Sequence, residues 1–364
     1  MQEDNIFSQI ARKFRQLIKG LLVGTNLATI ILLWITCLTS TVSPVVHPRL
    51  SQAGLIFPVF LSVNLAFIFI WLITSWKWSI LPVIGTICCW SYVRDFCPIN
   101  LTSNCPTESI RILSYNVGNF ATDSKMGFCG EKTLEYIIES NADIICLQEC
   151  PRGHIYNKLK ERLEKEGYFF RDKNGIATIS RWQFADEIIY QQDGVYSNGS
   201  FVNLIDINGD TILIINNHLQ SNAISIQEKA EYANAIESYD TDKMEASGRI
   251  LLSRLSQAAA KRSRQTDIVC SLVNEYKDYG IIIAGDFNDT PISNTYQRIS
   301  KTMKCAFRDS GNGIGISFSL KGFPVRIDHI FVSKEMKTSS TIVDNKIESS
   351  DHHPIITHIS NYAK

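Results

Sequence analysis

The chain has 364 residues and ten cysteines, but no Cys-x-x-Cys pair anywhere, so the spacing of a structural zinc site is missing. Nor is there a surplus of positive charge, since 36 Lys+Arg balance 36 Asp+Glu. The balance is uneven along the chain. Residues 1–106 carry seven basic and three acidic residues, which leaves 29 and 33 for residues 107–364, a net of −4. A protein that grips long nucleic acid through its backbone usually shows a basic face, and none is visible here in bulk. Internal repeats and low-complexity tracts are also missing, which argues against a solenoid or a disordered spacer. Cys146 and Cys150 lie in or beside an apolar run and read as small core residues.

Long hydrophobic runs are plentiful near the N-terminus. Residues 21–42 and 53–74 each approach the length that crosses a bilayer as a helix. Residues 79–96 form a third, weaker run, with Pro82 in its first turn, where proline is tolerated. Trp71, Trp76, Trp78 and Trp90 sit near the ends of these runs, as an interfacial belt would. No small-x-small cleavage site follows the first run, which speaks against a signal peptide. Arg12, Lys13, Arg15 and Lys19 favour a cytoplasmic N-terminus. Three crossings then put the rest of the chain outside the cytoplasm; a third run lying only in the interface would reverse that. Cys97 and Cys105 follow, close enough in sequence to pair in an oxidising compartment or to stand as free thiols. The expectation is an integral protein of a bacterial inner or plasma membrane. Residues 1–106 would be its membrane region, meeting the lipid bilayer through residues 21–96, and residues 107–364 a separate domain. Nothing points to a protein partner.

From Pro106 onward, strand and helix signals alternate, which implies a layered α/β domain. Strands are expected at 110–115, 142–147, 175–180, 187–191, 325–332 and 355–359. Asn208-Gly209, between apolar runs at 201–207 and 211–215, is a two-residue hairpin signal. Leu134, Ile137 and Ile138, then Ile155, Leu159 and Leu163, have helical spacing; 249–278 and 293–300 read as helices too. Residues 221–243 are polar and acidic, either a lid over a site or a solvated insertion. The stretch 280–291, GIIIAGDFNDTP, is a buried-strand run stopped by Gly285 that then presents Asp286, Asn288 and Asp289.

Five strand ends present polar side chains: Asn116; Glu149; Asn216 and His218; Asp286 and Asn288; Asp351 and His352. Asp328 lies within a sixth strand. Carboxylates, amides and imidazoles dominate, and no Cys or Ser nucleophile joins them. That mixture suits metal-assisted phosphoryl transfer to water: a hard cation takes carboxylate oxygen, and phosphoryl oxygens take amide and imidazole donors. The segments SYNVGNF, DIICLQE, NNHLQS, GDFNDTP, RIDHIFVS and SDHHP resemble, in order, the motifs of the endonuclease/exonuclease/phosphatase superfamily, which includes deoxyribonuclease I, exonuclease III, neutral sphingomyelinases and inositol polyphosphate 5-phosphatases.

The resemblance spans about residues 109–360 and implies a four-layer α/β/β/α sandwich, here preceded by about three transmembrane helices. It implies that Glu149, Asn116 and Asp351 hold Mg²⁺, for which Mn²⁺ would substitute. By the same resemblance, Asp286 orients or deprotonates the attacking water and Asn288 and His218 contact phosphate oxygens. Asp328 orients His352, which binds the phosphate or assists the leaving oxygen. A hydrogen bond from Asp328 would fix the tautomer of His352 and favour its protonated form. His154, His329 and His353 match no motif position and read as structural or exposed. The implied activity is phosphodiester or phosphomonoester hydrolysis, with a lipid, small-molecule or nucleic-acid substrate. Arg326-Ile327-Asp328 replaces the Trp-Cys-Asp of the 5-phosphatases and leans towards a nuclease; the acidic domain and the anchor lean towards a small or membrane-borne phosphoester. A non-catalytic sensor or scaffold on the same fold is the other class.

Overall fold

The computed structural model describes the chain except for residues 1, 102–104, 107, 122–127, 189–197, 223–230, 232–233, 235–237, 239, 321–322 and 363–364. Its first hundred residues are helical. Helix α1 (Gln2–Leu38) is unbroken, and a 3-10 segment, Leu50–Ile56, runs straight into α2 (Phe57–Thr74). Pro58 sits in the first turn of α2, where its missing N–H has no partner to lose. The third run is bent. Cys89, at φ −110° and ψ 20°, separates α3 (Ile80–Cys88) from α4 (Trp90–Phe96). Among the described residues, Ser8–Thr41 and Leu50–Thr74 are the two segments long and apolar enough to cross a membrane. The three runs pack as a bundle around satisfied polar groups. Trp34 Nε1 donates to the Gly85 carbonyl at 2.9 Å, Asn64 Nδ2 to the Pro82 carbonyl at 2.9 Å, and Trp71 Nε1 to Asn26 Oδ1 at 3.0 Å.

The sandwich opens with β1 (Ile110–Asn116), α5 (Gly130–Glu139), β2 (Ile144–Gln148), α6 (His154–Lys165), β3 (Phe169–Lys173) and β4 (Ile176–Ser180). There follow β5 (Phe184–Ile188), β6 (Gly199–Ile207), β7 (Asp210–His218), α7 (Thr241–Glu275), β8 (Gly280–Asp286) and α8 (Asn294–Ile299). It closes with β9 (Lys304–Cys305), α9 (Ala306–Ser310), β10 (Phe318–Leu320), β11 (Phe323–Val325), β12 (Asp328–Val332), β13 (Lys337–Val343) and β14 (Ile355–Ser360). One six-stranded sheet has the order β13-β14-β1-β2-β4-β3, the other β5-β6-β7-β8-β12-β9.

Three apolar clusters glue four layers together. Leu134, Ile137, Leu159 and Leu163 of α5 and α6 cover Leu113, Tyr115 and Leu147 of the first sheet. Ile112, Ile144 and Cys146 face Ile214, Ile282 and Ile330 across the sheet–sheet interface. Val269, Leu272 and Tyr296 of α7 and α8 cover Leu213, Ile281 and Ile283. Buried on both faces, β8 therefore reads as a continuous apolar run instead of alternating. Cys146 and Cys150 are core residues, and Cys97 and Cys105 are free thiols.

Three details differ from the sequence-based expectation. Gly285 does not stop β8 but lies inside it, paired with Asn217 of β7. The run 325–332 is two strands, with Arg326 and Ile327 between them. The edge strands β3 and β13 were not foreseen, because neither alternates cleanly: β3 exposes Phe169, and β13 exposes Ile342 along with Lys337 and Ser340. The hairpin at Asn208-Gly209 is as expected, with φ of 55° and 96° matching a type I′ turn. Most of 221–243 lies outside the described residues.

The helical bundle is clamped to the sandwich through Asp95. Its fully buried carboxylate accepts from Arg308 Nη1 at 2.6 Å, Gln297 Nε2 at 2.8 Å and Tyr296 Oη at 3.3 Å. Arg326 donates to the Asp95 carbonyl, and Asn294 Nδ2 donates to the Ser40 carbonyl at 2.9 Å. Removing one partner of a buried ion pair strands the other, and Arg308 is 29% exposed, so part of that penalty is relieved by water. Asp95→Ala is therefore expected to destabilise the full-length protein by about 2–3 kcal/mol and Asp95→Asn by less, measured by denaturant unfolding in detergent.

Candidate active site

Strand register assembles the site. In the parallel β7–β8 pair, His218 lies beside Asp286; in the antiparallel β8–β12 pair, Asp328 lies opposite Asp286. Parallel pairing of β1 with β2 sets Asn116 beside Gln148, with Glu149 one residue beyond. The two sheets bring these strand ends face to face, and Asn116 Nδ2 bridges them, 3.3 Å from Glu149 Oε1 and 3.1 Å from Asp286 Oδ2.

Asp286 is the point of convergence. Its Oδ1 accepts from the Asn288 backbone N–H at 2.7 Å, and its Oδ2 from Asn288 Nδ2 at 3.1 Å. His352 Nε2 and His218 Nε2 lie 3.7 and 3.8 Å from that same Oδ2, and His218 Nε2 is 3.5 Å from Glu149 Oε1. On the far side of His352, Nδ1 meets Asp328 Oδ2 at 2.9 Å. Asp328 is held by Ser317, whose Oγ donates to Oδ2 at 2.7 Å and accepts from the Ile327 and Asp328 backbone N–H groups, each at 3.0 Å. Phe318 stands edge-on to the His352 ring, centroids 5.0 Å apart.

Burial and charge divide the roles. Burial raises the Asp286 carboxyl, and the neighbouring Asp328 charge adds to it; the two imidazoles and the Asn288 N–H oppose, leaving it at about 6. Burial would lower His352, but the charges of Asp328 and Asp286 and the hydrogen bond that Nδ1 donates to Asp328 outweigh it and push the imidazole up to about 10. Near neutral pH, a carboxylate ready to take a proton thus faces an imidazolium ready to give one. His329 is a contrast: burial and Arg326 hold it down at about 3, and its Nε2 lies 3.0 Å from the Asp289 carbonyl, so it is a neutral structural group.

Asp286, Asp328 and His352 form a buried group whose candidate ligand atoms lie within 4.8 Å of one another. A doubly protonated His352 has no lone pair for a metal, and Asp328 Oδ2 is taken up by His352 and Ser317. The carboxylates left to suit a divalent cation are Glu149 and Asp351, which line the same cleft, while Asn116 turns its Nδ2 to Glu149 and Asp286 and its Oδ1 accepts from the Gly118 N–H at 3.1 Å. Oxygen donors of this kind fit a hard cation.

Glu149 has a φ of 46°, a left-handed backbone conformation that costs a glutamate on the order of 1–3 kcal/mol. Neighbouring bonds hold it there: Asn119 N–H donates to the Glu149 carbonyl at 2.8 Å, and Cys150 N–H to the Gly175 carbonyl at 2.7 Å. Asn119 Nδ2 also reaches Glu149 Oε2 at 3.1 Å.

Of the nine residues singled out in the sequence, Glu149, Asp286, Asn288, Asp351 and His352 line one cleft of about 280 Å³, Asn116 and Asp328 hydrogen-bond to residues that do, and His218 Nε2 lies 3.5 Å from Glu149 Oε1. Asn216 is different, since its side chain ties the sheets together beneath the site, accepting from Gln148 Nε2 at 2.7 Å. Three supporting residues were not singled out. Asn119 belongs to the SYNVGNF string, whereas Ser317 and Arg262 have no local signal. Arg262, buried on α7, pairs with Asp289 at 3.2 Å and donates to Asn222 Oδ1 at 2.8 Å. The 3-10 segment Leu50–Ile56 contributes too, with Gln52 and Leu55 on the cleft wall.

A model described as the Endonuclease/Exonuclease/phosphatase family matches residues 113–352, and one described as a domain of unknown function matches residues 19–96. No curated protein matches the chain. Among solved structures, an endonuclease/exonuclease/phosphatase from Beutenbergia cavernae DSM 12333 is 16% identical, covering 70% of this chain and 72% of that one, at a TM-score of 0.49. A family protein from Bacteroides thetaiotaomicron is 19% identical, covering 71% and 98%, at 0.46. The human Nocturnin catalytic domain with bound sulfate is 17% identical, covering 71% and 96%, at 0.46.

Two outcomes are expected from this geometry. The pH profile of kcat/KM should rise as Asp286 loses its proton, at or below about 6 once a cation is bound, and fall as His352 loses its proton near 10. Asp328→Asn removes the charge that retains the His352 proton, so the upper limb should move down by about 1–3 pH units, and an unmoved limb would refute the pairing. Separately, Glu149→Asn relieves the left-handed backbone, so in chelator it should raise stability by about 1 kcal/mol while activity is lost, measured by thermal unfolding.

Proposed function

The chain belongs to the endonuclease/exonuclease/phosphatase family, a family of phosphoric ester hydrolases, and on that footing we propose that it is a membrane-anchored, Mg²⁺-dependent phosphoesterase. The observation that carries the reading is the convergence on Asp286 of two imidazoles and two amides, with Glu149 and Asp351 on the open side of the same cleft.

Asp286 accepts the proton of the attacking water. Asn288, Asn116 and His218 orient that carboxylate and offer donors towards the phosphoryl oxygens. His352, held protonated by Asp328, donates to the leaving oxygen or to a non-bridging oxygen. Glu149 and Asp351, with Asn116 beside them, hold the cation. When bound, Mg²⁺, or Mn²⁺ in its place, neutralises charge on the phosphoryl group. Residues 107–364 form the catalytic domain and residues 1–106 the membrane region.

Contacts between the two regions support a specific topology. Ser40 and Gln52 lie against the catalytic domain, and so does Asp95. The chain leaves that side through α2, so α3 and α4 must bring it back. This supports three crossings over an interfacial third run and, with the basic N-terminal flank inside, a catalytic domain outside the cytoplasm.

Full-length protein in detergent is expected to hydrolyse a phosphodiester with Mg²⁺, to stop in chelator and to recover with Mn²⁺. Glu149→Gln and His352→Asn should each lower kcat by about 10²–10⁴-fold. Full turnover in either variant would count against the assignment.

A further inference from the structure

The cleft has a wall that the sandwich does not supply. The 3-10 segment Leu50–Ile56 leads without a break into α2, and its Gln52 and Leu55 line the same cavity as Glu149, Asp286 and His352. It is packed tightly in place. A Cβ at Gly54 would lie 2.7 Å from the Ile292 carbonyl, and α7 packs against the segment. The cleft is thus polar at the floor and apolar above it, where Leu55, Leu255, Phe318 and Val325 contribute. Outside the mouth the apolar surface continues: Leu50 is 50% exposed, Leu55 40%, Ile56 47%, and Ile250 on α7 47%.

The position of this wall fixes what reaches it. Phe57–Thr74 is 18 residues, about 27 Å of helix and close to the hydrocarbon thickness of a bilayer. With α2 in the membrane, Leu55, two residues before it, stands at headgroup level. We propose that the cleft takes a phosphoester carried on a membrane lipid, with its phosphate on the Glu149–Asp286–His352 floor and its first methylenes against Leu55 and Leu255. This rests on the phosphoesterase reading above and names its substrate class. A lipid reaches the cleft with its chains still largely in the bilayer, which avoids the cost of drawing each CH₂ into water. In the step itself, the water oxygen bonds to phosphorus and the bond from phosphorus to the lipid oxygen breaks. Asp286 takes a water proton and His352 supplies one to the departing lipid alcohol.

The test uses full-length protein reconstituted with Mg²⁺ in phosphatidylcholine vesicles carrying long-chain phosphatidylglycerol or phosphatidic acid. The comparison is with the dihexanoyl form of each lipid free in solution, and with plasmid DNA. At least one long-chain lipid is expected to be cleaved with kcat/KM about tenfold or more above its short-chain form, and DNA poorly. Leu55→Gln should cut that long-to-short ratio by about tenfold and Leu55→Met should preserve it, one order of magnitude being about 1.4 kcal/mol of binding. Leu255→Gln, on the facing wall, gives the same reading should Leu55→Gln fail to fold. Equal rates on long and short chains, an unmoved ratio in the folded Gln variants, or preferred cleavage of DNA would overturn the inference while leaving the phosphoesterase reading intact. Loss of turnover on every phosphoester offered would sink both.

Discussion

The active-site row rests on one missing atom. Gly285 lies at φ 139°, and a Cβ there would come within 1.9 Å of the Asn217 carbonyl. Only glycine lets β7 and β8 approach closely enough to stay in register to their last residues. That register sets His218 beside Asp286, and the antiparallel neighbour sets Asp328 on its other side. The ladder then closes behind the site, with Leu219 N–H donating to the Asp286 carbonyl at 2.9 Å. Three ionisable groups from three strands are fixed by backbone pairing before any side-chain contact is counted.

Two buried carboxylates on adjacent strands are costly, and the sequence resolves the conflict by treating them unequally. Asp328 is neutralised locally, with Ser317 on one oxygen and the His352 imidazolium shared at 2.9 Å. Asp286 keeps amide donors at 3.1 Å, but both imidazoles stay beyond hydrogen-bonding distance, at 3.7 and 3.8 Å. One carboxylate is therefore spent on holding a proton on histidine, and the other is left able to receive one. Asp286 and His352, a carboxyl and an imidazole both raised by their surroundings, have the physical signature of an acid–base pair. The strained backbone of Glu149 fits the same pattern, because sparsely populated conformations persist where surrounding contacts over-determine them.

How much of this was legible depended on whether the determinant was local. Asn116, Glu149, His218 and Asp286 each end or directly follow a buried run and Asp328 opens one, so strand periodicity placed them at strand ends without any knowledge of topology, whereas His352, between β13 and β14, was legible only through the SDHHP string. Ser317 was invisible, because a serine in a glycine-rich turn carries no sign of the carboxylate it will meet. The role of Arg326 was not legible in the string either: two residues before Asp328, it is buried, stacks on Phe307 with 4.3 Å to the ring centroid, and donates to the Ile314 and Asp95 carbonyls. The cleft wall at Leu50–Ile56 was hidden for another reason: apolar residues that suit a bilayer and apolar residues that suit a substrate tail look the same in a linear string.

Arg326 also decides how the helical region should be regarded. Its guanidinium grips the third apolar run at Asp95, and two residues later the same backbone delivers Asp328 to the site. The Asp95 carboxylate in turn gathers Tyr296, Gln297 and Arg308 from α8 and α9, which flank β12. On the opposite rim, Leu55 belongs to the segment that continues into α2. The helical region thus touches the lead-in to β12 on one side and the cleft mouth on the other. A flexible tether would leave both free, and small interdomain contacts would permit relative motion. Here the Asp95–Arg308 ion pair and a close backbone approach at Gly54 join the helices to the walls of the cleft, so the geometry of the helical region is part of the geometry of the site.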